Sequence, residues 1–360
     1  MGERIRVLCV DDSALMRKLL TTLLESQPDI EVVGTAPDPL VAREKIKKLD
    51  PDVLTLDVEM PRMDGLSFLE KVMRLRPMPV VMVSTLTEHG ATATLTALQL
   101  GAVDFVTKPK TDLAHSFEEI AEELVRKVRV ASRAKVRRLL AAVPSARASE
   151  APRPPIATMD VVTATSTTSI VAIGASTGGT EAIREVLSTY PRGGPPVVLT
   201  QHLPATFAAP FAKRLAEQTP VRVQLAREGE LLEPGCGYLP PGDVHLELKR
   251  AKGGYTLRFS DGPRVNLHKP SVDVLFHSVA KAAGKHAVGA LLTGMGNDGA
   301  AGLLAMREAG AHTIAQDEAS SVVWGMPGVA AEMNAAVEVL PLSKVTEGIT
   351  RSLVKRRKAS

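Results

Sequence analysis

The sequence predicts two α/β domains built on mostly parallel sheets, joined by a segment with no core of its own. Three observations predict this. Short apolar runs alternate with amphipathic stretches up to about residue 125, and again from Ile170 to about Leu340; such alternation marks parallel sheets covered on both faces. From Val143 to Ser169 the composition shifts to Pro, Ala, Ser, Thr and Arg, with too few bulky apolar groups to offset the entropy of ordering, so it reads as a linker. At 360 residues the chain is also long for one core. The expected layout is a first domain over residues 1–125, a helical extension and linker over 126–169, a second domain over 170–345 and a basic tail over 346–360.

Apolar residues make up 44% of the chain but aromatics only 3%, so aliphatic side chains must fill both cores. The net charge of +4 lies largely in two clusters, Arg126 to Arg138 and Lys355 to Lys358. Few aromatics accompany them to stack bases. They read as a solvated helix face and a frayed terminus, and no nucleic-acid partner is expected. The two cysteines, Cys9 and Cys236, form no C-x-x-C pair, which leaves thiol redox or metal chemistry without support. The opening Met-Gly-Glu-Arg-Ile-Arg lacks the apolar stretch of a signal peptide. No run approaches the ~18 apolar residues of a membrane span. A cytoplasmic protein is expected.

In the first domain the predicted strands are Ile5–Val10, Val53–Leu56, Val80–Val83 and Val103–Thr107. Helical patterns fall between them, as at Ala14–Glu25 and Ser67–Leu75. The strands run into Asp11-Asp12, Asp57, Ser84-Thr85 and Lys108-Pro109 respectively. Ligand crevices of open parallel sheets lie at the carboxyl ends of the strands, so these residues can share one crevice. Three converging carboxylates need a cation, and oxygen ligands with room for water suit Mg²⁺. A carboxylate beside such an ion can take a phosphoryl group, with Lys108 and Ser84 holding the new oxygens. Taken singly, Asp12 or Ser13 could merely cap the helix at Ala14.

The stretch resembles a response-regulator receiver domain through Val10-Asp-Asp12, Leu56-Asp-Val-Glu-Met-Pro61, Val83-Ser84 and Thr107-Lys-Pro109. The resemblance implies a flavodoxin-like five-stranded fold with Asp57 as phospho-acceptor. It implies Mg²⁺ held by Asp12, Asp57 and the Glu59 carbonyl, with Asp11 assisting. It also places Phe105 at the aromatic position that relays the switch, and a histidine kinase as phosphodonor.

In the second domain Ser176 follows the apolar run Ile170–Gly174, within Gly174-Ala-Ser-Thr-Gly178. That is the G-x-S-x-G spacing, in which small neighbours let a strand-to-helix turn expose the hydroxyl. The Thr177 N–H, near the start of the next helix, could donate to an oxyanion. Gly-rich turns of this kind also bind phosphates, so the base decides the matter. Of eight histidines, His202 alone ends an apolar strand, Val197–Gln201, ahead of a helix. His245 alternates with Asp243 and Glu247 like a metal face, but a solvent-facing polar edge is the simpler reading. His268 sits in a loop, Asn266 to Asp273, that can line the cleft. Asp298 follows Val288–Leu292 and a Gly-rich turn, where it can orient His202 or merely cap the helix beginning at Gly299. The order Ser…His…Asp differs from that of the α/β-hydrolases, Ser…Asp…His.

This domain resembles the catalytic domain of chemotaxis protein-glutamate methylesterases. The match rests on Gly174-Ala-Ser-Thr-Gly-Gly179, Gln201-His202, Pro240-Pro-Gly-Asp243, Pro270-Ser-Val-Asp273 and Leu292-Thr-Gly-Met-Gly-Asn-Asp-Gly299. The resemblance implies Ser176 as nucleophile, His202 as general base and acid, Asp298 as orienting carboxylate and the Met295 backbone as a second oxyanion donor. It implies hydrolysis of glutamyl methyl esters, and deamidation of glutamines, on methyl-accepting chemotaxis receptors in sensory adaptation. No cofactor is expected for the ester chemistry, and the membrane is reached only through the receptors. Two other readings are a serine esterase for a different small ester and a receiver-linked DNA-binding regulator. The second is disfavoured because strand–helix alternation persists where a three-helix reader would be needed.

Overall fold

The computed structural model describes residues 4–60, 63–85, 87–108, 116–136 and 169–359. They divide into two compact units, one within Met1–Ala142 and one within Val143–Ser360. The expected linker up to Thr168, the end of the first basic cluster, Pro109 and the side chains of Lys355–Lys358 lie outside the described residues.

The first unit alternates β1 (Ile5–Val10), α1 (Ala14–Glu25), β2 (Ile30–Ala36), α2 (Pro39–Leu49), β3 (Val53–Asp57), α3 (Gly65–Leu75), β4 (Val80–Ser84), α4 (Glu88–Gln99), β5 (Asp104–Thr107) and α5 (Ser116–Ala131). Its strands form one parallel sheet in the order β2-β1-β3-β4-β5, the flavodoxin-like winding. The central strands β3 and β4 are buried throughout, as strands covered on both faces must be. Asp11 and Asp57 therefore sit at the ends of the neighbouring strands β1 and β3, and Lys108 follows β5, with β4 between.

α5 runs unbroken across residue 125, where the sequence reading ends the domain, with Leu124, Val125, Val128 and Ala131 buried. Its basic residues are not a free solvated face. Arg129 pairs with Asp29 at 2.7 Å, and Lys127 lies 3.1 Å from Asp104 and 2.7 Å from Glu123. Burial alone would lower the Lys127 pKa, but those two carboxylates raise it above the usual lysine value. Cys9, inside β1, is a free buried thiol that burial pushes up to about 12, so it stays protonated and inert.

The second unit is β6 (Ile170–Ala175), α6 (Gly179–Ser188), β7 (Val197–Gln201), α7 (Ala205–Gln218), β8 (Arg222–Leu225), β9 (Cys236–Leu239), β10 (His245–Ala251), β11 (Gly254–Ser260), α8 (Val272–Ala283), β12 (Ala287–Leu291), α9 (Ala300–Glu308), β13 (His312–Gln316), α10 (Met326–Glu332), β14 (Glu338–Leu340) and α11 (Leu342–Ala359). Seven strands form a wholly parallel sheet in the order β14-β13-β12-β6-β7-β9-β8. The chain leaves β6 on one side for β7 and returns on the other to β12. That reversal is a topological switch point, where open sheets bind ligands.

β10 and β11 form a separate antiparallel hairpin. Its buried Leu246, Leu248, Tyr255 and Leu257 share a core with Leu275, Phe276 and Val279 of α8. His245, on the opposite face of β10, is buried as well, so it is not a solvent edge, and both ring nitrogens are held by backbone groups. Its Nε2 lies 2.9 Å from the Pro263 carbonyl, and its Nδ1 accepts the Ser271 N–H at 3.1 Å. The expected tail over 346–360 is also corrected. α11 begins at Leu342, and Thr346, Ile349 and Ser352 are buried, because its apolar positions recur at helical spacing and find the sheet. Among the described residues no helix is long and apolar enough to cross a membrane.

Phe276, on α8, is fully buried in the core that this helix shares with the hairpin. Phe276→Ala should cost about 3–5 kcal/mol through lost burial and the cavity left behind, read as a lower urea midpoint for the second unit. An unchanged midpoint would show that the hairpin does not carry this core.

Candidate active site and phosphate switch

Ser176 stands one residue beyond β6, His202 one beyond β7, and Asp298 between β12 and α9. Because β6 lies between β7 and β12, all three reach one end of the sheet. Backbone bonds tie these ends together. The Ser176 N–H donates to the Thr293 carbonyl at 3.0 Å and the His202 N–H to the Ala175 carbonyl at 3.2 Å. Gln201 Nε2 donates to the Ser176 carbonyl at 2.8 Å, a bond that the Gln201-His202 motif does not itself reveal. Gly178 enters α6 at φ 75, and a Cβ there would meet Val322 at 2.7 Å; both strain and space demand glycine. A Cβ on Gly294 would fall 2.8 Å from that of Ser176, so the Met295 backbone follows directly beside the serine. Thr177 is buried next to it.

The His202 Nε2 lies 2.8 Å from Asp298 Oδ2. Its Nδ1 is buried with no hydrogen-bond partner among the described residues, so no such bond joins it to the half-buried Ser176. Catalytic hydrogen bonds are often open in the resting enzyme and tighten on substrate. Nδ1 is thus the nitrogen left to receive a proton.

Asp298 does act as a cap, but of a different helix. Its carboxylate accepts the N–H groups of Val272 at 2.7 Å and Asp273 at 3.2 Å, the Ser271 hydroxyl at 2.7 Å and Asn266 Nδ2 at 2.9 Å. The first two belong to the N-terminus of α8, whose dipole favours a negative charge. Burial alone would raise its pKa; the bonds from His202, Asn266 and Ser271 and the attraction of His202 outweigh that and hold it well below the carboxylate range. Its neighbour Asp273 is shifted upward, chiefly by burial, with the nearby Asp298 charge adding to it.

At Asp298→Asn the charge is lost while the shape is kept. The expected fall in ester hydrolysis is up to ~10⁴-fold, smaller than for loss of the serine hydroxyl. Initial-rate kinetics beside a melting curve checks this. Wild-type turnover in a folded Asp298→Asn protein would remove Asp298 from the site.

In the first unit, carboxylate oxygens of Asp11, Asp12 and Asp57 lie within 4.8 Å of one another. Asp11 and Asp57 are buried and Asp12 is exposed, which leaves one open side. An oxygen-only set of this charge fits Mg²⁺. The Glu59 N–H donates to Asp57 Oδ1 at 3.3 Å, so the segment carrying the Glu59 carbonyl is held against Asp57. Lys108 Nζ reaches Asp57 Oδ2 at 2.8 Å and Asp11 Oδ2 at 3.1 Å. Burial raises the Asp57 pKa to about 6, Lys108 opposes the rise, and the Asp11 charge adds to it. The Ser84 Oγ is buried, 2.7 Å from Thr94 Oγ1, a partner that no motif announced. Phe105 is buried in β5, with Lys127 Nζ 4.8 Å above its ring.

Residues 171–349 match the CheB methylesterase family, and residues 7–118 match the response regulator receiver domain. The chain is 56% identical over 352 residues to "Protein-glutamate methylesterase/protein-glutamine glutaminase 1" of Xanthomonas campestris pv. campestris, covering 95% of this chain and 96% of that protein. To the Salmonella typhi protein named as protein-glutamate methylesterase/protein-glutamine glutaminase it is 55% identical, covering 96% of each. The crystal structure of the Thermotoga maritima CheB methylesterase catalytic domain covers 52% of this chain and 98% of its own, at 33% identity and a TM-score of 0.50. The chain belongs to the family of receiver-linked protein-glutamate methylesterases/protein-glutamine glutaminases.

Proposed function

We propose that this protein is a phosphorylation-activated hydrolase that removes methyl groups from glutamate methyl esters on methyl-accepting chemotaxis receptors, and deamidates glutamines there. The observation that carries the reading is the His202–Asp298 bond of 2.8 Å at the strand end adjoining Ser176. In this reading Ser176 Oγ attacks the ester carbonyl and His202 Nδ1 takes its proton. Asp298 stabilises the imidazolium that forms. The N–H groups of Thr177 and Met295 receive the oxyanion. His202 then gives the proton to the departing methoxide, methanol leaves, and an acyl-enzyme remains. Water, deprotonated by His202, attacks that ester and frees the glutamate. A glutamine side chain enters the same sequence with ammonia leaving.

Control belongs to the first unit in this account. Asp57 accepts a phosphoryl group from a histidine kinase. Asp11, Asp12, Asp57 and the Glu59 carbonyl would hold Mg²⁺, which when bound neutralises charge on the phosphoryl oxygens. Lys108 and Ser84 then bind the new oxygens, which requires Ser84 to exchange its contact with Thr94. Phe105 relays that rearrangement. Phosphorylation can shift the activity only by its differential free energy for the two states, and ~1.4 kcal/mol is a tenfold shift. Methanol release from methylated receptor membranes, with and without an acyl-phosphate donor, tests the whole reading. No release under either condition would reject it.

A further inference from the structure

The tight turn at Val265–His268 reaches both the base and the carboxylate of the site, and nothing in the ester chemistry accounts for it. Val265 and His268 close the turn by reciprocal backbone bonds, with Val265 N–H to the His268 carbonyl at 3.0 Å and the reverse at 2.9 Å. Both central residues are left-handed, Asn266 at φ 50 and Leu267 at φ 69. Asparagine tolerates that region, but leucine is strained there. The Leu267 side chain is 78% exposed, so its own packing does not compensate the strain. Strain of this kind persists where the flanking contacts over-determine the backbone.

Those contacts are with the site. Asn266 Nδ2 donates to Asp298 Oδ1 at 2.9 Å and to Asp273 Oδ2 at 2.7 Å, bridging two buried carboxylates. The His268 ring stacks on the His202 ring with centroids 3.6 Å apart and planes 13° from parallel. The turn is anchored beyond its ends by the Lys269–Asp261 ion pair and by His245, which joins the Pro263 carbonyl to the Ser271 N–H.

His202 needs such a contact. Its side chain makes one hydrogen bond, through Nε2 to Asp298, and Nδ1 has no partner among the described residues. A single bond fixes the position of one ring atom but leaves the ring free to swing about that contact. A flat group against its face removes this freedom and keeps Nδ1 in one plane. Asn266 completes the arrangement by holding Oδ1, so that Oδ2 remains turned to the imidazole.

We propose that the Val265–His268 turn positions the general base, His268 fixing the plane of the His202 ring by stacking and Asn266 fixing the carboxylate that orients it. This rests on the assignment of Ser176, His202 and Asp298 made above. His268 is a positioning residue and carries no proton in the reaction.

The test uses the full-length protein on methylated receptor membranes, comparing His268→Ala, His268→Phe, Asn266→Ala and Ser176→Ala by kcat, KM and melting temperature. His268→Ala should lower kcat between about tenfold and a hundredfold, the scale of a small misplacement of a reacting group. KM should stay within about twofold, since the contact with substrate is not altered. His268→Phe keeps a flat ring with no ionisable nitrogen, and should recover most of the lost kcat. Asn266→Ala should also lower kcat with KM little changed. A folded His268→Ala enzyme with wild-type kcat overturns the proposal while leaving the serine assignment intact. A His268→Phe enzyme as slow as His268→Ala, with the melting temperature of the wild type, overturns it too and points to proton transfer by His268 itself. Full activity in Ser176→Ala would instead remove the site assignment, and this proposal with it.

Discussion

Replacing Ser176 by alanine is expected to lower methyl-ester hydrolysis by ~10⁴-fold or more while the fold survives. The side chain is half-buried at the end of β6, and the bonds that shape its turn come from backbone atoms and Gln201 rather than from its hydroxyl. Removing Oγ therefore deletes the nucleophile and little else. His202→Ala should cost as much, because residues that act as one unit fail together when either is lost. Its stability should change little, since the imidazole makes one side-chain hydrogen bond and one ring stack. Methanol release by each variant, with circular dichroism to establish folding, decides the point. Wild-type turnover in Ser176→Ala would mean that the nucleophile is elsewhere.

Asp57→Asn should abolish phosphorylation by an acyl-phosphate donor in the presence of Mg²⁺, and chelation of the ion should do the same in the wild type. Lys108 contacts the Asp57 carboxylate at 2.8 Å, the residue is 1% exposed, and its oxygens lie close to those of Asp11 and Asp12. The amide lacks both the charge and the nucleophilic oxygen. Basal ester hydrolysis should stay near that of the unphosphorylated parent, because Asp57 takes no part in that chemistry. Phosphate incorporation that persisted at the wild-type level in Asp57→Asn would place the acceptor on another residue.

The parts of both sites that sit on strand ends were legible in the sequence. Apolar runs closed by Asp57, Lys108, Ser176 and His202 mark the strands directly, and the order of each unit's own sheet brings Asp57 near Lys108 and Ser176 near His202. What was not legible depends on packing across elements. Alternation along β10 correctly turns Leu246 and Leu248 toward α8, but it cannot show that Pro263 and Ser271, far along the chain, hold His245 on the opposite face. The alternative in which Asp298 caps the helix next in sequence fails, because no side chain caps α9. The partners of Asp298 at the start of α8 lie about 26 residues upstream, a distance that local signals do not span. Thr94 on Ser84 and the stacking of His268 on His202 are contacts between distant segments, and no spacing encodes them. The final helix departs from the expected tail for a different reason: its charged end follows directly on Thr346, Ile349 and Ser352, which repeat at helical spacing and are buried.

The most direct test of the account is methanol release from methylated receptor membranes by the full-length protein, measured with Mg²⁺ in the presence and absence of an acyl-phosphate donor. Release should depend on Ser176, should rise when donor is added to the wild type, and should not respond to donor in Asp57→Asn. A wild-type protein that is phosphorylated on Asp57 yet releases methanol no faster would contradict the claim that the first unit governs the second.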